Sequence, residues 1–272
     1  MSDLGAQRLK GRVCFVSGGL RGIGLACVER FLAEGAEVVL SDLDAADSPA
    51  ASEVMARLGQ AASYVSANVT KEEDWQRACD VVQSRHGKLH VLVNNAGIGP
   101  TSAVETTSLE DWRKVMAVNV DGVFLGVKTF AAMMGESGAE VAGGASIINV
   151  SSMYGIVAAV ETSPYNASKG AVRLFTKGVA LEFAAKKLPI RVNSLHPGMI
   201  ETPMMDNGFQ DTVDKGLAPS VQSIKDGMIA LTPLGRLGRP EDMAAGVFFL
   251  ASSDSAFMTG AELVMDGGWT AQ

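Results

Sequence analysis

The sequence contains little cysteine and little histidine, with three residues of each type among 272. An odd number of cysteines at irregular spacing is typical neither of a disulfide framework nor of a zinc site. Cys14 lies in an apolar run and Cys27 in a helical pattern, so we expect both to be buried free thiols. Together these features predict a cytoplasmic protein and no metal ligands among the site residues.

The sequence also lacks any basic tract, and its net charge is −7 at pH 7. Proteins that bind nucleic acids neutralise phosphates with clusters of Lys and Arg, so this class of partner is disfavoured. The longest uncharged apolar run, 146–160, is too short and too polar to span a bilayer. The first twelve residues contain no apolar segment of the kind found in secretion signals. We therefore expect neither a nucleic acid nor a membrane as a partner.

Short apolar segments alternate with segments of helical periodicity along the whole chain. This order indicates βαβ units, and strands without polar alternation are typical of a parallel sheet covered on both faces. The sequence thus predicts an α/β fold with a doubly wound parallel sheet, in a single domain over residues 1–272. The predicted strands are 12–17, 37–42, 63–66, 89–93, 146–150, 190–195 and 262–265. The predicted helices are 22–33, 52–58, from the N-cap Thr70 to 85, from the N-cap Ser108 to 124 or 134, 164–185 and 240–251.

Two segments match no regular element. Residues 135–145 are rich in glycine and predict a surface loop. Residues 199–230, rich in Met, Gly and Asp, form a long irregular segment between a strand and the last helix. Because long irregular segments of compact domains are usually functional, we predict a substrate lid at about 199–230.

A glycine-rich turn follows the first predicted strand, with the spacing Gly18-x-x-x-Gly22-x-Gly24. Such glycines let backbone N–H groups approach a pyrophosphate at the positive end of the following helix. Asp42 ends the second strand, 20 residues after Gly22, where dinucleotide-binding folds place an acid that binds the adenosine ribose. Its charge repels a 2′-phosphate and favours NAD over NADP, whereas Arg21 argues mildly for NADP. An ordinary glycine-rich turn and a solvated turn acid are the alternatives.

Tyr165 and Lys169 stand four residues apart at the start of a long predicted helix and so share one of its faces. A phenol is a poor base at neutral pH, because its reference pKa is about 10. A lysine ammonium one turn away favours the phenolate, and so would a bound nicotinamide cation. The phenolate could then take the proton of an alcohol while hydride leaves its carbon. Ser152, after a neighbouring strand, could donate a hydrogen bond to the same oxygen. The Tyr–Lys spacing alone is common, and a solvated pair on a helix surface is its alternative.

Several stretches together resemble the classical short-chain dehydrogenase/reductase family over nearly the whole length. They are SGGLRGIG at 17–24, Asp42, Asn68-Val69, NNAG at 94–97, Asn119, Ser152, YNASK at 165–169, HPG at 196–198 and DGG at 266–268. The resemblance implies a Rossmann-type fold and a catalytic tetrad of Asn119, Ser152, Tyr165 and Lys169. It also implies that Asn119 holds a water linking Lys169 to solvent, and that Lys169 bonds the nicotinamide ribose. Ser17 in place of the family's usual Thr and Asn68 in place of its Asp are departures that keep a polar side chain.

The resemblance further implies which residues contact an NAD cofactor. They are Gly18, Arg21, Gly22, Ile23, Gly24, Asp42, Asn68, Val69, Asn95, Gly97, Tyr165, Lys169, Pro197, Gly198, Ile200 and Thr202. Substrate contacts are expected from Ser152, Met153, Tyr165 and Met204. The sequence has no basic cluster that could bind an anionic substrate, so we expect an uncharged secondary alcohol or its ketone. The resemblance implies an apolar one, such as a hydroxysteroid or an alicyclic alcohol.

The expected function is an NAD-dependent oxidoreductase with Tyr165 as general acid and base. An NADP-dependent carbonyl reductase and a dinucleotide-binding regulator without turnover are the alternatives, and dehydration or epimerisation on the same fold is a third. The resemblance also implies a homotetramer packed through two long helices and the last strand. Some relatives hold a Mg²⁺ near their C-terminal carboxylate, which by analogy would be that of Gln272.

Overall fold

The computed structural model describes residues 7–272. Residues 1–6, the start of the segment expected to lack a secretion signal, lie outside the described residues. The β-strands are β1 (Val13–Ser17), β2 (Glu37–Asp42), β3 (Ala62–Ser66), β4 (Val91–Asn94), β5 (Ala145–Val150), β6 (Ile190–Pro197) and β7 (Glu262–Met265). The α-helices are α1 (Gly22–Ala33), α2 (Pro49–Leu58), α3 (Glu72–His86), α4 (Leu109–Met116), α5 (Gly122–Gly138), α6 (Ser163–Ala185), α7 (Pro203–Asp214), α8 (Val221–Leu231) and α9 (Pro240–Ala251).

These seven strands run parallel in one sheet, in the order β3-β2-β1-β4-β5-β6-β7. Residues 14–16 of β1 pair with residues 91–93 of β4 at the centre. The strand order reverses direction at this point, which leaves a crevice at the carboxyl ends of the two strands. The predicted doubly wound parallel sheet in a single domain is confirmed.

Hydrophobic clusters cover both faces of the sheet, because successive side chains of a strand point to opposite faces. In β1, Cys14 and Val16 pack in the cluster that contains residues of α1 and α9. Val13 and Phe15 pack in the opposite cluster, with residues of α3, α5 and α6. This two-sided burial explains the continuous apolar strands. Cys14 and Cys27 are buried free thiols, as expected.

Two predicted helix starts have different outcomes. Ser108 is the N-cap of α4, where its hydroxyl oxygen accepts a hydrogen bond from the Asp111 N–H at 3.0 Å. The prediction that Thr70 caps α3 is wrong, because this helix begins at Glu72. The Thr70 hydroxyl instead donates to the side-chain oxygen of Asn68 at 2.9 Å, so a local turn takes the place of the cap.

The surface loop predicted at 135–145 is wrong in its first part, since α5 continues to Gly138. The Ser137 hydroxyl donates to the Met133 carbonyl at 2.8 Å and accepts from the Leu89 N–H at 3.1 Å. A Cβ at Gly138 would overlap the Pro189 carbonyl. Small residues that resemble a loop in composition therefore allow the end of this helix to pack closely.

The irregular structure predicted at 199–230 is wrong as well, because the segment contains α7 and α8. Thr202 and Ser220 cap these helices, each accepting a hydrogen bond from the backbone N–H three residues later. No residue of either helix is buried, so the pair lies on the surface of the domain. Lys215 Nζ, just after α7, donates to the Thr101 carbonyl at 2.7 Å and so joins this segment to the loop after β4.

The helices α4 and α5 join through a wider turn into one helical stretch, Leu109–Gly138. By length and composition alone this stretch could cross a membrane, but a single such helix is weak evidence because helices of a protein core share these properties. Leu125, Phe130 and Met134 of α5 pack in a core cluster. The expectation of no membrane partner stays a prediction.

Candidate functional site

Four strand ends meet at the central crevice. The segments that follow them are the glycine turn after β1, NNAG at the end of β4, the Ser-Ser pair after β5 and HPG at the end of β6. The start of α6 brings Tyr165 and Lys169 to the same edge, since this helix packs against β5 and β6. The motifs that are scattered in the sequence therefore converge, as expected at a topological switch point.

The glycine turn is shaped to receive an anion. Gly18 and Gly22 have φ angles of +66° and +56°, which other residues rarely adopt. The helix α1 begins at Gly22, and within residues 7–272 no side chain caps its first N–H groups. A Cβ at Gly24 would overlap the Gly18 carbonyl, so this glycine closes the turn. Ile23, half-buried in α1, packs against a core cluster. The uncapped positive end of α1 fits a pyrophosphate.

Asn95, which the resemblance places along the cofactor, also holds the glycine turn in place. Its Nδ2 donates to the carbonyls of Ser17 and Gly18, at 3.0 Å each. The Ser17 hydroxyl oxygen accepts from the N–H groups of Asn95 and Ala96, at 3.1 and 3.2 Å. The hydroxyl that this serine retains therefore ties β1 to the end of β4.

Asp42 stands at the end of β2, held by two backbone groups. Its carboxylate accepts from the N–H of Leu20 at 3.2 Å and from that of Leu43 at 2.9 Å. Arg21 pairs with Asp44 at 2.5 Å and lies 3.8 Å from an oxygen of Asp42. The guanidinium thus faces two carboxylates, although its side chain is 58% exposed and open to competition by another anion.

Asn68 and Val69, two of the cofactor contacts that the resemblance implies, follow β3 in a tightly bonded turn. The side-chain oxygen of Asn68 accepts from the Thr70 N–H at 3.0 Å. The Val69 carbonyl accepts from Trp75 Nε1 at 2.9 Å, and a Cβ at Gly122 would come within 3.0 Å of the Val69 side chain. These contacts fix the backbone that bounds the crevice beyond the end of β2.

Lys169 is buried, with 4% of its surface exposed, and its Nζ donates to the Val150 carbonyl at 2.8 Å. Burial lowers its pKa to about 8. Gly97 leaves room for this side chain, because a Cβ there would lie 3.4 Å from Nζ and 3.2 Å from Asn119 Oδ1. A buried ammonium with a pKa this close to neutrality is typical of functional sites.

Tyr165 lies one helical turn before Lys169, whose Nζ is 5.6 Å from the phenol ring centroid. Burial raises the pKa of Tyr165, and a hydrogen bond with Ser152 partly opposes this effect. The Lys169 ammonium is directed to the Val150 carbonyl, and its expected effect on the phenolate stays a prediction. A further positive charge beside the phenol would also favour the phenolate.

The two serines after β5 have different roles. The Ser151 hydroxyl donates to the Lys169 carbonyl at 2.8 Å and so anchors α6 to the strand. The Ser152 oxygen accepts from the Tyr154 N–H at 3.1 Å, which leaves the hydroxyl proton for another acceptor. Ser152 is also the residue whose side chain interacts with Tyr165. Ser152 and not Ser151 belongs to the tetrad that the resemblance implies, and this assignment stays a prediction.

Asn119 lies in a π-helical turn, Ala117–Asp121, between α4 and α5. Its Nδ2 donates to the Ile98 carbonyl at 2.8 Å and to the Ser168 hydroxyl at 2.9 Å, and its Oδ1 accepts from the Ile98 N–H at 2.8 Å. The side chain therefore joins the loop after β4 to α6. Both Nδ2 donors are engaged and Oδ1 accepts one hydrogen bond, and the implied water stays a prediction.

The turn after β6 bounds the far side of the crevice. Pro197 ends β6, and a Cβ at Gly198 would come within 2.6 Å of the Asp266 backbone. Ile200 is buried and forms a bridge with residue 238. Thr202 contacts the glycine turn, since a Cβ at Gly22 would lie 3.3 Å from its methyl group.

The two methionines expected to contact substrate differ in exposure. Met204, in the first turn of α7, is 46% exposed and accessible. Met153 is 1% exposed, so its side chain packs in the interior, and the expected substrate contact stays a prediction. The 3₁₀ turn Met153–Gly155 packs against α6, and this packing is not visible in the sequence.

Two polar residues of the site were absent from the predicted set. The Ser168 hydroxyl donates to the Tyr165 carbonyl at 2.8 Å and accepts from Asn119. The His196 ring contacts the Ser152 carbonyl at 3.0 Å. Both residues stand inside motifs that carry the resemblance, which was the available signal. Their partners lie on other elements, so their roles could not be inferred from sequence position.

The crevice fits a nicotinamide dinucleotide along its length. Asp42 at the end of β2 can bind a ribose, and the uncapped start of α1 can bind a pyrophosphate. Lys169 lies beside Gly97 at the other end of the crevice. Residues 7–272 contain no group of three or more His, Cys, Asp or Glu side chains arranged to hold a metal ion. The Mg²⁺ near Gln272 therefore stays an analogy.

Comparisons with known proteins agree with this architecture. A family model described as enoyl-(acyl carrier protein) reductase matches residues 18–270. The chain is 41% identical over 268 residues to the NADP-dependent (R)-specific alcohol dehydrogenase of Lentilactobacillus kefiri, covering 98% of this chain and 99% of that protein. It is 41% identical over 264 residues to the 3-alpha-(or 20-beta)-hydroxysteroid dehydrogenase of Mycobacterium bovis, covering 97% and 91%.

A solved structure has the same fold. The 3-ketoacyl-(acyl-carrier-protein) reductase from Brucella melitensis, complexed with NADH, matches with a TM-score of 0.82 at 33% identity, covering 96% of this chain and 99% of that chain. The chain therefore belongs to the short-chain dehydrogenase/reductase family of oxidoreductases, whose members bind a nicotinamide dinucleotide.

Proposed function

We propose that the protein is an NAD-dependent oxidoreductase that interconverts an apolar secondary alcohol and its ketone. The observation that carries this proposal is the meeting of Ser152, Tyr165 and the buried Lys169 at the sheet edge that also holds Asp42 and the glycine turn. Proton-transfer groups at one end of a dinucleotide crevice are suited to removing an alcohol proton while hydride leaves the adjacent carbon.

The proposed mechanism assigns one step to each side chain. When bound, the nicotinamide supplies the hydride acceptor and a positive charge. Ser152 donates a hydrogen bond to the alcohol oxygen, because its own oxygen is held by the Tyr154 N–H. Tyr165 takes the hydroxyl proton, with that positive charge and Lys169 offsetting the effect of burial on its pKa. The alcohol thus loses one proton and one hydride and becomes the ketone.

The preference for NAD rests on Asp42. Its carboxylate is held by two backbone N–H groups at the end of β2, where a dinucleotide of this fold places its adenosine ribose. A 2′-phosphate would meet this negative charge, and Arg21 is already paired with Asp44. The NADH complex of the Brucella melitensis relative supports the same cofactor.

An NADP-dependent carbonyl reductase is the second candidate. It is favoured by the NADP-dependent relative from Lentilactobacillus kefiri and by the exposure of Arg21, which could exchange Asp44 for a 2′-phosphate. Two fixed carboxylates near that position oppose it. A regulator without turnover is less well supported, because Ser152, Tyr165 and Lys169 keep a geometry that binding alone does not need.

The proposed substrate is apolar and uncharged. Exposed apolar side chains occur along and after the α7–α8 segment, at Met204, Leu217, Leu231 and Leu234. The hydroxysteroid dehydrogenase from Mycobacterium bovis supports a bulky alicyclic alcohol. We propose that α7 and α8 form a lid over this alcohol, with the Lys215–Thr101 contact as its closing point.

We also propose a homotetramer. The outer faces of α5 and α6 expose Phe124, Leu174 and Leu181, which packing between copies would cover. Phe257, which lies shortly before the edge strand β7 in the chain, is fully exposed as well. Sedimentation equilibrium should give four copies, and a monomer at micromolar concentration would contradict this assembly.

The proposed function is tested by the formation of NADH from NAD, or of NADPH from NADP, followed by absorbance. The alcohols are a panel of hydroxysteroids, cyclic alcohols and short linear alcohols. Turnover with NAD that increases with the apolar size of the alcohol supports the proposal. Turnover with NADP alone would favour the carbonyl reductase. Binding of NAD without turnover of any member of the panel would favour the regulator.

A further inference from the structure

His196 is completely buried at the end of β6, and both of its ring nitrogens have a partner. Nδ1 lies 3.0 Å from the Ser152 carbonyl oxygen. Nε2 lies 2.8 Å from the Ser194 hydroxyl. The mechanism proposed above uses Ser152 but assigns nothing to this ring.

The partners determine which nitrogen carries the proton. A carbonyl oxygen can only accept a hydrogen bond, so His196 Nδ1 must be the N–H donor. In the neutral ring Nε2 then accepts from the Ser194 hydroxyl. His90 has the opposite arrangement, because its Nδ1 accepts from the Val13 N–H at 2.9 Å and its proton is therefore on Nε2.

The surroundings of His196 keep it neutral. Burial lowers its pKa, and the positive charges of Arg173 and Lys169 act in the same direction. The bond to the Ser152 carbonyl and the negative charge of Glu262 oppose this shift, without reversing it. The donor on Nδ1 is therefore present throughout the neutral range.

The Ser152 residue is held on three sides. Its carbonyl accepts both from His196 and from the Gly155 N–H at 2.9 Å. Its hydroxyl oxygen accepts from the Tyr154 N–H. Since β5 ends at Val150, Ser152 lies outside the strand and is not held by strand pairing. The bonds named above hold its peptide group instead.

We propose that His196 is a positioning residue for Ser152, whose Nδ1–H holds the Ser152 peptide so that the serine hydroxyl is aimed at the reacting oxygen of the substrate. This inference rests on the proposed oxidoreductase function. A displacement of a reacting group by about 1 Å can lower turnover about 100-fold, so a bond to the backbone of Ser152 can matter although His196 never touches the substrate.

The test compares four single variants and one double variant in the full-length protein. His196→Leu should lower kcat by about 10- to 100-fold and leave KM and the NAD dissociation constant within about threefold. His196→Asn, whose side-chain N–H can occupy the place of Nδ1–H, should recover kcat to within about threefold of the wild type. Ser194→Ala keeps the Nδ1–H bond and is the matched control, with kcat within about threefold of the wild type.

The fourth variant is Ser152→Ala, alone and combined with His196→Leu. If His196 acts through the Ser152 hydroxyl, His196→Leu should change kcat by no more than about twofold in the Ser152→Ala background. Full additivity of the two losses, or an Asn variant as slow as the Leu variant, would overturn the proposal. If His196→Leu fails to fold, the Asn and Ser194 variants still decide, because a slow Asn variant contradicts the proposal.

A spectroscopic measurement tests the same inference without turnover. Long-range ¹⁵N–¹H spectra of the histidine rings should show the Nδ1–H form for His196 and the Nε2–H form for His90. An Nε2–H form at His196 would refute the proposed bond. If the wild type shows no turnover with any alcohol, the proposed function fails, whereas this spectrum still tests the contact to Ser152 separately.

Discussion

The two ends of the sheet both bury positive charges, but with different chemical results. At the carboxyl end, Lys169 donates a hydrogen bond to the Val150 carbonyl, and burial lowers its pKa to about 8. At the amino end, Arg12 and Arg191 are buried too, and burial lowers the pKa of Arg191 to about 10. In residues 7–272 none of these three cations pairs with a carboxylate.

The arginines are held by backbone carbonyls near the end of α9. Arg12 donates to the Ala251 carbonyl at 3.2 Å and to that of residue 142 at 3.0 Å. Arg191 donates to the carbonyls of residues 143, 250 and 252 and to the Ser255 hydroxyl. The carboxyl end of a helix attracts positive charge, and a guanidinium has five donors to satisfy these groups.

The difference between the ends lies in what each cation can do. A guanidinium stays protonated throughout the neutral range, even with the pKa of about 10 that burial gives Arg191, so Arg12 and Arg191 can serve as fixed donors there. An ammonium with a pKa near neutrality can lose its proton and respond to a neighbouring charge. The amino end should therefore govern stability, and the carboxyl end should govern turnover.

The largest effect is expected from Tyr165→Phe at the carboxyl end. Removing the acid–base group should lower kcat by about 10²- to 10⁴-fold while the NAD dissociation constant and the melting temperature stay near those of the wild type. Steady-state kinetics and cofactor titration measure the two quantities. Tyr154→Phe is the matched control and should keep kcat within about fivefold. Near-normal activity of the Tyr165→Phe variant would refute the assignment of Tyr165 as the base.

Arg191→Met should show the reverse behaviour at the amino end. The variant leaves buried carbonyls without their donor, so its free energy of unfolding should fall by about 3 kcal/mol. Its kcat should stay near the wild-type value at temperatures where it is folded. Urea unfolding measures the change, with the exposed Arg57→Met as control, expected within about 0.5 kcal/mol. A stable Arg191→Met variant that has lost turnover would break the comparison.

The pH dependence of stability separates the two kinds of cation further. The pKa of Lys169 is lowered from 10.5 to about 8 in the folded protein, so between these values the unfolded chain binds more protons. Its contribution to the free energy of unfolding should therefore rise with pH across this window, by on the order of 3 kcal/mol in total. The difference in unfolding free energy between the wild type and Lys169→Met measures it.

The same measurement over pH can be made for the arginine, by comparing the unfolding free energies of the wild type and Arg191→Met. Since the pKa of Arg191 falls only to about 10, the difference between the wild type and Arg191→Met should stay flat from pH 7 up to that value. Parallel curves for the wild type and Lys169→Met would show that the Lys169 pKa is not lowered by burial.

The smallest effect is expected at Asp42, which we propose to act in the choice of cofactor and not in the chemistry. Asp42→Asn removes one negative charge and should therefore favour NADP. The ratio of the NADP dissociation constant to the NAD dissociation constant should fall by about 10- to 100-fold. Cofactor titrations measure this ratio, and the exposed Asp47→Asn is a control for net charge. An unchanged ratio in Asp42→Asn would count against the role of Asp42.

Much of the architecture was predictable because it depends on local patterns. Apolar strands that alternate with helices, a glycine turn after β1 and an acid at the end of β2 are features of short segments. The spacing of Tyr165 and Lys169 on a helix face is local too. The errors occurred where tertiary packing overrides composition. Small residues that resemble a loop continue α5, and the polar segment after β6 forms two capped surface helices.

The sequence by itself determined the parallel sheet, the glycine turn after β1 and the shared helix face of Tyr165 and Lys169. The tertiary structure alone decided the lowered pKa of Lys169, the engagement of the Asn119 amide and the tautomer of His196. The physical reason is that helix and strand patterns arise from neighbours along the chain. Burial and hydrogen bonding of a polar group depend on carbonyls and amides that only the folded chain brings into contact.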